Sequence, residues 1–359
     1  MFEIKGKYNK AYVYANTVNY DCIQQITNMC NQEWIKGSRI SIMPDCHFGK
    51  GCVVGFTATI QNKVCPNLVG NDIGCGMLTL ELGKVDINYE KLDNYLRGTV
   101  NGMKEETNFN FKSLRCYEHI NVSKAKKYTG TLGSGNHFVE IDEDSEGNKY
   151  LIIHSGSRSL GQQVHNYYQR IAEKHCEGKN IQKEFTYLEG EELDNYLHDI
   201  LICQIYAQIN RKLIAIGIMK QILSNKLPIN MFHTIHNYID TEHKILRKGA
   251  ISAQEGELVL IPMNMRDGCL LAEGKGNPHY NFSAPHGAGR LFSRSQAKEI
   301  LSLEDFEKSM EGIYTSCVTQ SKIDESPMAY KPMDDILDNI KDTVSIIKVL
   351  KPVYNYKAR

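Results

Sequence analysis

The 359-residue chain has no apolar run of the about 18 residues that a membrane-spanning helix needs. Its start, Met1-Phe2-Glu3-Ile4-Lys5, lacks the basic patch and apolar stretch of a secretory signal, so a cytoplasmic protein with no membrane contact is expected. Net charge is also missing, since 42 Lys plus Arg meet 42 Asp plus Glu. A surface coated in positive charge is therefore excluded, and any nucleic acid must be met in a local groove. There is no C-x-x-C pair and no zinc-finger spacing, and the 11 cysteines are odd in number. In a chain of this length that pattern points to buried free thiols in a reducing compartment, not to a disulfide scaffold. Repeats, low-complexity tracts and Pro/Ser-rich linkers are absent, so residues 1–359 are expected to form one domain. No Walker A loop is present. With 42% hydrophobic and 23% charged residues, the chain has the balance of a folded globular protein and is not a disordered one.

What is there reads as strands, then helices, then strands, which suggests an α+β fold. Residues 1–80 are short strands broken by glycine turns, with Cys52–Ile60 the clearest. Residues 86–106 carry apolar side chains at helical spacing, and 131–141 and 149–154 are strand-like. Leu160–Cys176 and Glu191–Asn225 are expected helices, the second packing through Tyr196, Leu201, Ile205 and Ile209. Residues 251–285 return to strands, Asp335–Val349 reads as a final amphipathic helix, and Lys351–Arg359 as a tail stopped by Pro352.

The chemistry gathers in five glycine-rich islands: Met43–Gly51, Val69–Met77, Gly133–Glu140, His154–Arg158 and Pro285–Arg290. Glycine beside polar residues lets a backbone approach a ligand and turn its N–H groups toward anions. Asp72 and Cys75 share one such turn, and a thiolate there can bridge two cations. Taken alone, they also read as a turn cap and one more buried thiol. His137, His154 and His236 add three imidazoles. His236 is expected on a helix, where His233 would share its face. Carboxylate, thiolate and imidazole together suit a borderline transition ion such as Mn, Fe, Co or Zn, and not Mg or Ca. His286 lies among small residues that leave room for an adduct, and histidine is a known covalent nucleophile. Arg158, Arg290, Arg294 and Lys50 are candidate phosphate contacts, whereas Lys124, Lys126 and Lys127 read as a solvated face.

The motifs "VGNDIGCGM", "GSGNHFVE", "HSGSRSLG", "HNY" and "PHGAGRLFSR", in this order, resemble the RNA-splicing ligase family RtcB, and more closely its shorter bacterial and phage-like branch. The resemblance runs from about Met43 to the C-terminus. It implies a single compact α+β domain, with mixed and antiparallel sheets around a dinuclear metal site and peripheral helices. It implies joining of an RNA 3′-phosphate or 2′,3′-cyclic phosphate to a 5′-hydroxyl, with GTP and two Mn²⁺. By the match, Asp72, Cys75 and His137 would hold one ion, and Cys75, His154 and His236 the other. His286 would become guanylylated. The guanylate contacts would fall on Asn136, His137, Phe138, Val139 and Glu140, on His236 and Asn237, and on His286, Gly287, Ala288 and Gly289. They would extend to Pro262, Met263, Asn264 and Met265, to Cys269 where a small hydroxyl residue is expected, and to Lys357, with Tyr330 a weaker candidate. The partners would be RNA ends, met by a monomer, and a helper protein is left open. Two other readings stay beside this one. A metal-dependent phosphohydrolase or cyclic phosphodiesterase would use the metal ligands but leave His286 without a role. A non-catalytic protein binding RNA ends would need neither.

Overall fold

The computed structural model describes residues 1–98 and 107–358. Its frame is a seven-stranded antiparallel sheet in the order Asn230–Ile235, Gly76–Gly83, Lys149–Ser155, Phe138–Glu143, Val344–Lys357, Gly268–Gly274 and Leu258–Asn264. Most of these strands are rich in β-branched and large apolar residues, as fully covered strands must be. The two outer strands approach each other, with the Leu260 amide donating to the Thr234 hydroxyl at 3.1 Å, so the sheet curls nearly closed. Met77, Phe138, Ile152, Leu260, Cys269, Leu271 and Leu350 pack together on one face of it.

A six-stranded sheet lies beside it, in the order Phe2–Lys5, Lys10–Val13, Ile40–His47, Val54–Thr59, Ile245–Lys248 and Asn237–Asp240. Only the Lys10–Val13 and Ile40–His47 pair in it is parallel. The helices Arg158–His175 and Gly190–Gln221 pack on one another and on the sheets. The α+β class, the mixed sheets and these helices match the expectation. All 11 cysteines are free and buried.

Several local expectations are corrected. Helix Tyr20–Cys30, capped by Asn19, interrupts what reads as a strand region. The 86–106 helix is Tyr89–Gly98, and its expected remainder, 99–106, lies outside the described residues. Leu201 and Ile205 face outward instead of packing inward. His236 is on no helix; it follows strand Asn230–Ile235, because Phe232-His233-Thr234-Ile235 is too short an apolar run to fix its period. The final helix covers only Met333–Ile340, and the chain continues as strand Val344–Lys357 through Pro352. Thr343 and Val344 begin a β-branched stretch that prefers the sheet. Pro352 is tolerated because the ladder shifts register between it and Tyr354.

Candidate active site at one end of the larger sheet

Antiparallel register brings the strand ends together. Cys75 precedes Gly76, His137 precedes Phe138, His236 follows Ile235, and His154 stands opposite both Met77 and Phe138. The His236 amide donates to the Cys75 carbonyl at 2.9 Å, which locks two of these ends side by side. The turn before Cys75 delivers Asp72. Gly156 leaves it room, since a Cβ there would overlap the Asp72 carboxylate.

The five side chains meet. His137 Nε2 lies 2.9 Å from Asp72 Oδ2 and 3.4 Å from Cys75 Sγ. His154 Nε2 lies 3.3 Å from the same sulfur and 3.4 Å from His236 Nε2. Two triads result, Asp72–Cys75–His137 and Cys75–His154–His236, sharing the thiol. The outer ring nitrogens fix the tautomers: His137 Nδ1 donates to the Leu132 carbonyl at 2.9 Å and His154 Nδ1 to that of Asn136 at 3.1 Å. His154 Nε2 then presents a lone pair inward, while His137 Nε2 lies against the Asp72 carboxylate. Lone pairs, a thiol and a carboxylate packed this closely among buried groups fit cations and little else. Burial pushes the Cys75 thiol well up and His154 and His236 well down, so all three are neutral until a cation arrives. Burial also opposes ionisation of Asp72, but the His137 contact and the charge of Arg158 hold its carboxyl down at about 2.

Above the triads opens a cleft of about 960 Å³. His286 stands in it, its ring 5.0 Å from that of His236. Asp45 Oδ2 accepts from His286 Nδ1 at 2.6 Å and from the His286 amide at 3.1 Å. The ring is thereby oriented, with Nδ1 engaged and Nε2 outside that bond. Gly289, at φ +73°, lets the His286 loop cross closely over Asp45, where a Cβ would come 2.6 Å from the Asp45 carbonyl oxygen. Sequence reading gave Asp45 no role, although it lies in the first glycine island.

Of the expected nucleotide contacts, Asn136, Phe138, Glu140, His236, Pro262, Met263, Asn264, Met265, His286, Gly287, Ala288, Gly289 and Lys357 line the cleft, as does Tyr330. Val139 and Cys269 are buried away from it, and Asn237 uses its side-chain oxygen to accept from the Gly249 amide at 2.9 Å. Lys357 sits over the Phe138 ring at 4.8 Å and pairs with Glu325 at 3.1 Å. Arg290 and Arg294 line the cleft too, tied to Asp324 and Glu325. Arg158 stands behind His137, 3.2 Å from Nδ1, and Lys50 is exposed outside the cleft.

Arg211 was also missed. It lies fully buried on the long helix, and its Nη1 donates to the Gly74 carbonyl at 2.8 Å and to the Ser155 carbonyl at 2.7 Å. It thus ties the turn bearing Cys75 to the strand bearing His154. An arginine in the apolar stripe of an expected core helix was the available signal.

Known proteins resemble the chain over most of its length. The chain is 29% identical to the RNA-splicing ligase RtcB of Escherichia coli K12, over 94% of each chain. It is 28% identical to an RNA-splicing ligase RtcB2 of another Escherichia coli strain, over 93% of this chain and 91% of that one. It is 26% identical to a tRNA-splicing ligase RtcB of Methanococcus maripaludis, over 92% and 90%. The sequence model of tRNA-splicing ligase RtcB matches residues 25–113 and 88–358, and since those two stretches span nearly the whole chain, the protein belongs to the RtcB family of ligases.

Proposed function

We propose that residues 1–359 act as one GTP- and manganese-dependent RNA ligase domain, joining 3′-phosphate or 2′,3′-cyclic phosphate ends to 5′-hydroxyl ends through a guanylate on His286. The observation that carries this reading is His286, held by Asp45 with one ring nitrogen free, beside two cation triads at the foot of one cleft. A hydrolase would use the triads but has no need of a nucleophilic imidazole so presented.

Asp72, Cys75 and His137 would hold one ion and Cys75, His154 and His236 the other. Manganese accepts this mixed donor set. Bound there, the ions neutralise charge that develops on phosphoryl oxygens. The chain's own part is positioning. His286 Nε2 attacks the α-phosphate of GTP, forming an N–P bond as pyrophosphate leaves, and Asp45 stabilises the positive imidazolium. The guanylyl group then passes to the RNA 3′-phosphate oxygen, a cyclic end having first been opened by water to that phosphate, and the transfer regenerates the imidazole. The 5′-hydroxyl finally displaces GMP. Lys357, Phe138 and Glu140 line the cleft and would meet the base, and Arg290 and Arg294, which also line it, would meet phosphates. The relatives' names, RNA-splicing and tRNA-splicing ligase, support RNA as the substrate.

Intact-mass measurement after incubation with GTP and Mn²⁺ tests the reading. A GMP-sized adduct is expected on the wild type and none on His286→Ala. A metal-loaded wild type that gains no adduct from GTP would leave the phosphohydrolase.

A further inference from the structure

Two carboxyl groups stand together at the wall of the cleft that carries Phe138. Glu140 and Asp142 are two apart on strand Phe138–Glu143, so they share a face. Their carboxylate oxygens lie within 4.8 Å of one another and of the Cys269 thiol. Glu140 touches the cleft, whereas Asp142 is wholly sealed from solvent. Glu140 accepts from the Asn355 amide, and the Cys269 thiol reaches it only at 3.9 Å. Neither oxygen of Asp142 has a hydrogen-bond partner among the described residues.

The surrounding charges do not balance two anions. On the carboxy-terminal strand, Lys357 is committed to Glu325. Lys351 is exposed and acts on Asp142 only through space. Across the other edge stand Ile152 and Tyr150, and the Tyr150 hydroxyl turns to Asp144. Two buried like charges this close cannot both persist, and one proton between them satisfies the orphaned Asp142 oxygen at the same time.

We propose that Glu140 and Asp142 hold one proton between them, and that Asp142, out of reach of any ligand, sets whether Glu140 meets a bound base as acceptor or donor. The second half rests on the nucleotide reading above. Guanine offers two N–H donors on its Watson–Crick edge, and a carboxylate accepts both. When guanine docks, the proton passes from the Glu140 oxygen to the Asp142 oxygen, and the pair keeps its single negative charge. A second proton makes Glu140 a donor facing donors. Adenine, with one acceptor and one donor, tolerates either state. Burial raises both carboxyls, and the charge of Asp142 raises Glu140 further; Asp142 itself is pushed up to about 6.

Two measurements on the full chain decide this. In the infrared spectrum of nucleotide-free protein at neutral pH, the wild type minus Asp142→Asn difference should show a protonated carboxyl band. No such band overturns the shared proton. So does an extra metal equivalent held by the wild type and lost in Asp142→Asn, which would put a cation in the proton's place. In competition binding, wild-type preference for GTP over ATP should fall about tenfold to a hundredfold as pH drops through about 6. The triphosphates titrate alike, so the ratio isolates the base. Asp142→Asn, whose amide donates to Glu140 and keeps it an acceptor, should hold its preference flat. A flat wild type, or an equal slope in the variant, overturns the role of Asp142. If neither nucleotide binds, the nucleotide reading and the base-sensing half fall together, and the infrared band alone decides the shared proton.

Discussion

Asp45 decides which nitrogen of His286 is left for the proposed nucleophilic role. Its carboxylate takes Nδ1–H and the backbone amide together, so ring and loop are fixed by one group. Asp45→Asn keeps the shape but offers an amide that can bond the wrong tautomer. Guanylate formation should slow by about 10²- to 10⁴-fold, with metal content unchanged, read as the rate of GMP adduct by mass. At the triads the neutral Cys75 thiol must lose its proton to become a ligand. Mn²⁺ uptake at neutral pH should therefore release a proton. Titration calorimetry in buffers of different ionisation heat reads this directly, and Cys75→Ser should abolish the buffer dependence. His236 lies in no island, whereas Cys75, His137, His154 and His286 were legible in the sequence because glycine islands flag them. Asp45 was not, because its partner lies 241 residues away and only the fold joins them.

The strands explain why legible residues could still be misplaced. His236 does its geometric work at a strand end, where its amide caps the Cys75 carbonyl, and no helix is needed. The carboxy-terminal stretch misleads in the same way. Ile336 and Ile340 do pack as a helix, but Val344–Leu350 pairs with one neighbouring strand and Lys351–Lys357 with another. A short apolar run does not carry its own period, and only the neighbours choose. The long helix was found almost to its ends, yet its buried arginine works as a clamp between two sheet loops. Burial lowers the Arg211 pKa only to about 10, so it stays charged. Arg211→Met should cost roughly 3 kcal/mol, because two buried carbonyls lose their donor. The expected signature is a lower urea midpoint at an unchanged slope, with Mn²⁺ affinity falling alongside.

At the scale of the molecule, charge neutrality leaves RNA to be held by a few cationic side chains around one cleft. Arg290 and Arg294 are already engaged by Asp324 and Glu325. Binding of a single-stranded end should accordingly show a shallow salt slope, about −2 for some three phosphates, measured as log affinity against log salt. Stability should be linked to metal in the same way, because the triads draw on four separate stretches of chain. Chelation should lower it by about 3–4 kcal/mol from a state with metal at 100 to 1,000 times its Kd. The α+β class and the order of strands, then helices, then strands could be read from pattern alone. The sheet order could not, since strands far apart in sequence become neighbours.

That order has a consequence for how the enzyme comes into being. Strand Val344–Lys357 is not an edge; it lies between Phe138–Glu143 and Gly268–Gly274 and bears Lys357 into the cleft. Until residue 357 has emerged from the ribosome, the two wings of the sheet have no common neighbour, and the hundreds of residues already made can form only parts. A chain cut off before Val344 therefore has no finished cleft, and ligase activity waits on this one strand.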